Sequence, residues 1–147
     1  MTPGEIRTEM LGQHGEMRAM IERATALIAK VRAGEPVRVE LQATLGRLAV
    51  AAHTHNDREE ELLREIIPTV DAWGPARASV MDEQHKLEHQ ALHAALQSSV
   101  NDDDDAACAA TETLLARMLR HMDREEEAFL SEEVLRDDSV ITNYFGG

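Results

Sequence analysis

Two heptapeptides decide most of what this chain can become. His55-Asn56-Asp57-Arg58-Glu59-Glu60-Glu61 and His121-Met122-Asp123-Arg124-Glu125-Glu126-Glu127 agree at six of seven positions. Each sets a glutamate four residues after a histidine. On an α-helix four residues turn the side chain by about 40° net, so imidazole and carboxylate share a face. A weaker echo relates Gln13-His14-Gly15-Glu16-Met17 to Glu88-His89-Gln90-Ala91-Leu92, and His85 precedes His89 by four. The expectation is a duplicated helix pair with an approximate two-fold axis.

The rest of the chain agrees with helices. Aromatic residues are only 3% of the sequence, against 43% hydrophobic residues overall. Ala, Leu, Glu, Arg and Met are strong helix formers. Pro3-Gly4, Ala33-Gly34-Glu35-Pro36, the stretch from Pro68 through Trp73-Gly74-Pro75, and Asn101 to Asp105 punctuate the chain. Four helices are predicted between them, at about 5–32, 37–67, 76–100 and 106–135. Their apolar residues recur three or four apart, as in Ile6, Met10, Met17 and Ile21, or Leu41, Leu45, Leu48 and Ala52. Short connections favour antiparallel neighbours. The predicted fold is therefore all-α, an up-down-up-down antiparallel four-helix bundle over 1–136, with a short C-terminal tail over 137–147.

Height along such a bundle tests whether the repeated residues can meet. At about 1.5 Å of rise per residue, His14, His55, Glu59, His85, His89, His121 and Glu125 fall within one band about two helical turns thick. Surface residues have no reason to line up so. An isolated His/Glu pair is ordinarily a solvated face; three paired motifs plus His14 at one height are a candidate metal site. Imidazole and carboxylate without thiolate suit non-haem iron, manganese or zinc. Seven N/O donors are too many for one ion with an open position and suit a carboxylate-bridged pair.

The set His14, His55-x3-Glu59, His85-x3-His89 and His121-x3-Glu125 resembles the hemerythrin-like family, including its HHE cation-binding domains, over nearly the whole chain. The resemblance implies a four-helix bundle with two iron ions in a non-haem centre held by five histidines and two bridging carboxylates. It also implies binding or sensing of O2, or of a related small ligand such as nitric oxide or peroxide. In the oxygen carriers of that family the last carboxylate is an aspartate five residues after its histidine. Here Glu126 stands at five and Glu125 at four. The repeat pairs Glu125 with Glu59 and so selects Glu125; Glu126 would need a π-like distortion of the last helix to face inward.

Of the remaining histidines, His53 should lie on the outer side of its helix, and His93 continues the His85/His89 stripe one turn higher. The single cysteine, Cys108, excludes an intrachain disulfide and reads as a small buried hydrophobe. A net charge of −13 disfavours nucleic acid and anionic membranes. No apolar leader or spanning segment is present, so a cytoplasmic location is expected. Ferritin-like bundles, which use Glu-x-x-His pairs, fit the histidine-first order poorly. A binding or sensing protein ranks ahead of a redox enzyme acting on peroxide or nitric oxide, of an iron-handling protein, and of a zinc-stabilised bundle.

Overall fold

The fold is seen in a computed structural model, described over residues 1–101 and 105–137. Every extended regular element among these residues is helical: α1 Pro3–Arg32, α2 Arg38–Val70, α3 Gly74–Val80, a π-helical turn Met81–His85, α4 Lys86–Asn101 and α5 Asp105–Ala128. α3, the π turn and α4 follow one another without a break, so four helical rods pack together.

Local chemistry sets the ends of α1. Thr2 and Glu5 form a reciprocal capping box, with Pro3 in the first helical turn. At the other end Gly34 adopts φ +84°, and the Glu35 N–H reaches the Lys30 carbonyl at 3.0 Å. Glycine tolerates that left-handed conformation, which ends the helix in a Schellman-type turn.

Three boundaries differ from the sequence expectation. α2 runs through Pro68 to Val70 instead of stopping at Ile67. Ile67 and Val70 are fully buried, and their apolar contacts hold the last turn despite the donor that proline lacks. The third rod contains a π turn in which the Lys86 N–H bonds to the Met81 carbonyl five residues back. Periodicity could not reveal it, since Met81 and His85 are both buried. The last helix stops at Ala128 rather than Leu135. The Glu125 carbonyl accepts from both Phe129 and Leu130, and the chain turns to bury Phe129, Leu130, Val134 and Leu135. The acidic run at 102–104, expected as a break, and the expected tail beyond Asp137 lie outside the described residues. Asp137 itself accepts the Gly4 N–H at 2.8 Å.

Two apolar clusters fill the bundle. One joins Met17 to Val31 of α1 with Leu41 to Ala52 of α2, Leu92 and Leu96 of α4, and Cys108 to Met122 of α5. The other joins Ile6 and Met10 with Leu62 to Val70, Met81 and the segment Phe129 to Leu135. Between them every rod contributes polar residues to one buried layer.

Candidate metal centre

All seven residues singled out by the repeats meet in that layer. His14, His55, Glu59, His85, His89, His121 and Glu125 are each at most 5% exposed. α1 supplies His14, α2 supplies His55 and Glu59, the π turn supplies His85, α4 supplies His89, and α5 supplies His121 and Glu125.

Their donor atoms form two groups. His85, His89, His121 and Glu125 make one, and His14, His55, Glu59 and Glu125 the other, with the donor atoms of each group within 4.8 Å of one another. Glu125 belongs to both. Glu59 also faces both ways: Oε1 lies 2.7 Å from His85 Nε2, and Oε2 lies 3.1 Å from His55 Nε2. Glu125 Oε1 is 3.1 Å from His121 and 3.5 Å from His14, while Oε2 contacts His85 and lies 3.4 Å from His89. Three imidazoles therefore crowd one side of the carboxylates and two the other.

This layer is poorly satisfied by its own hydrogen bonds. Both Glu59 oxygens, Glu125 Oε1, His89 Nε2 and His121 Nε2 are buried without a hydrogen bond. His14 Nε2 and His55 Nε2 point at each other across 3.1 Å. Two imidazole lone pairs and two buried carboxylates aimed at common points are unfavourable unless a cation lies between them. Protons can play that part. Burial works to lower the pKa of His85, but its hydrogen bond to Glu125 and the adjacent carboxylate of Glu59 more than reverse this and raise it to about 10. His121 is raised too, burial being outweighed by Glu125 and Glu88. Burial would raise the pKa of Glu125, but contacts with Glu59, His121, His14 and His85 hold it well below the usual carboxylate range. The donor set thus fits bound cations: imidazole and carboxylate only, no sulfur, converging on two points.

Outward-facing ring nitrogens meet a second set of residues, which the sequence reading did not assign. His55 Nδ1 donates to Gln13 Oε1 at 2.6 Å. His121 Nδ1 lies 3.2 Å from Glu88, which also takes Arg124 at 2.6 Å. His89 Nδ1 faces Glu60 at 3.4 Å, and His14 Nδ1 faces Glu126 at 3.8 Å. The partners of His55, His89 and His121 fix the tautomer that turns Nε2 inward, whereas His14 Nδ1 is buried without a hydrogen bond. The signal was present in the repeats, because Glu60 matches Glu126 and Gln13 matches Glu88. Glu126, the competing carboxylate, is thereby accounted for: it is 26% exposed and binds Arg18 at 3.0 Å.

His53 and His93 stand apart from both groups. His53 is exposed beside Asp57. His93 is half-buried and borders a cavity of ≈ 20 Å³ in the bundle core, which is also lined by Met17, Leu92, Met118 and Met122, and by His55, His89, His121 and Glu125. That volume has room for a molecule about the size of water.

A family model described as the hemerythrin HHE cation-binding domain matches residues 5–132. No curated protein and no solved structure matches the chain.

Proposed function

The chain belongs to the hemerythrin HHE cation-binding domain family, and on that premise we propose that it is a non-haem di-iron protein that binds or senses O2, or a related small ligand such as nitric oxide or peroxide. The observation that carries this reading is the pair of buried carboxylates, each facing histidines of both groups, with three of their four oxygens finding no hydrogen bond within the protein. His14, His55, Glu59, His85, His89, His121 and Glu125 are the proposed ligands, with Glu59 and Glu125 bridging. The bundle over 1–136 is read as up-down-up-down. The two apolar clusters support this, because α1 and the third rod enter the centre from the Ile6–Met81 cluster and α2 and α5 from the other.

Iron held there would supply reversible ferrous/ferric chemistry and an open coordination position. The protein does the rest. Three imidazoles face one position and two face the other, so the His14/His55 side has one protein donor fewer and would be the side open to a small ligand. The adjacent cavity, bordered by His55 and walled by methionine and leucine, admits a small neutral molecule and disfavours charged ones. Gln13, Glu60, Glu88 and Glu126 hold the imidazoles in place. Among the described residues no helix is long and apolar enough to cross a membrane, and the buried free thiol of Cys108 suits a reducing cytoplasm.

Protein made with ample iron should carry two irons per chain by elemental analysis. Anaerobic reduced protein mixed rapidly with O2 should develop a new visible absorption band. One metal per chain, zinc alone, or no band would sink the reading; sustained turnover of peroxide would move it to a redox enzyme.

Metal binding should also release protons. With its pKa raised to about 10, His85 is protonated at neutral pH in the metal-free protein, and a metal ion must displace that proton. Affinity should therefore climb about tenfold per pH unit per proton displaced from about pH 7 to about pH 9. Chelator competition across that range checks the slope; a flat profile would mean that His85 is not a ligand.

A further inference from the structure

We propose that His53, Asp57 and His93 form a loading site through which divalent iron reaches and leaves the buried centre; this rests on the di-iron reading above. His53 and Asp57 lie one turn apart on α2, both exposed, with His53 Nε2 3.4 Å from Asp57 Oδ2. The ring of His93, on α4, sits 5.1 Å from that of His53. His93 is half-buried, and its Nδ1 is buried with no hydrogen-bond partner. It lines the same cavity as His55, His89 and Glu125. Imidazoles thus descend from solvent at His53, through His93, to the edge of the centre.

Chemistry gives this order a use. Two imidazoles and a carboxylate match a divalent first-row ion. At an exposed position they would hold one only briefly. A hydrated cation does not cross a leucine- and methionine-lined passage without donors that replace its water. Two histidines in succession provide them, and the overall charge of −13 draws cations to the surface. A second cleft among the described residues, beside His85 and His121, is bordered by Arg124 and Glu88, which pair with each other at 2.6 Å. Glu88 is thus already neutralised by a guanidinium and offers a cation less than His93 does.

The experiment uses the iron-loaded protein, reduced and anaerobic. Iron content is measured first, then an excess of a ferrous chelator is added and release is followed. A route used inward is used outward, so His53→Ala and His93→Ala should each slow release by about tenfold from an unchanged starting content. His53→Glu should keep most of the native rate, because a carboxylate can still ligate. Release that is unchanged or faster in the alanine variants overturns the proposal. So does faster release in Arg124→Ala with the His53 variants unaffected, which would make the cleft the route. Low starting iron in His93→Ala would make His93 a ligand of the centre and overturn it as well. If the native protein itself holds fewer than two irons, the di-iron reading fails, and that is read before any chelator is added.

Discussion

Glu125→Ala should empty both halves of the centre, whereas Glu126→Ala should leave two irons in place. The two glutamates are neighbours in sequence and opposites in surroundings. Glu125 is 3% exposed and belongs to both donor groups. Removing it takes one oxygen from each side and leaves five imidazoles facing a single carboxylate. Glu126 faces only the outer nitrogen of His14 and is held by Arg18. Its loss should weaken iron binding by roughly tenfold, as for other residues that brace a ligand, without abolishing it. Elemental analysis after gel filtration checks both variants, with far-ultraviolet circular dichroism to confirm that each is folded. Iron lost from Glu126→Ala and kept by Glu125→Ala would reverse the assignment.

Gly74→Ala should be the most disruptive added methyl among the described glycines. Gly74 opens α3 directly under the end of α2, and a Cβ built there would sit 2.1 Å from the Ile67 carbonyl oxygen and 3.0 Å from Pro68 Cα. Both neighbours are backbone, so no side chain can swing away. The helix ends must separate, which opens the cluster around Ile67, Val70 and Met81. The cost should be on the order of 3 kcal/mol. His85, carried by the π turn that follows α3, should lose its alignment. Gly46→Ala is the internal control: it lies within α2 with nothing within 4 Å of the added Cβ. It should stabilise by about 0.5–1 kcal/mol through helix propensity. Urea unfolding of the iron-loaded variants measures both. Equal midpoints would refute the clash.

The heptapeptide repeat carried much of this architecture in plain view. It located His55, Glu59, His121 and Glu125, and through the echo at Gln13 and Glu88 it pointed to His14 and His89. These residues were legible because the motif ties residue type to helical spacing, and both can be read from a string of letters. Helix ends were less legible. Pro68 reads as a stop, yet α2 passes through it, because burial of Ile67 and Val70 outweighs a lost hydrogen bond. The π turn that carries His85 left no mark, since it shifts winding and leaves the apolar pattern intact. The outer partners were missed for another reason. Glu60, Glu88 and Glu126 look like any surface glutamates until neighbouring helices bring imidazole nitrogens to them.

The two halves of the chain bring unequal numbers of histidines to the buried layer. When Gln13-His14 is set against Glu88-His89, the counterpart of His85 is Met10, which is completely buried on α1. Two identical hairpins would build a pocket with interchangeable ends, unable to tell which way round a visitor lies. One half brings two imidazoles to the layer and the other brings three, so the layer has a head and a tail.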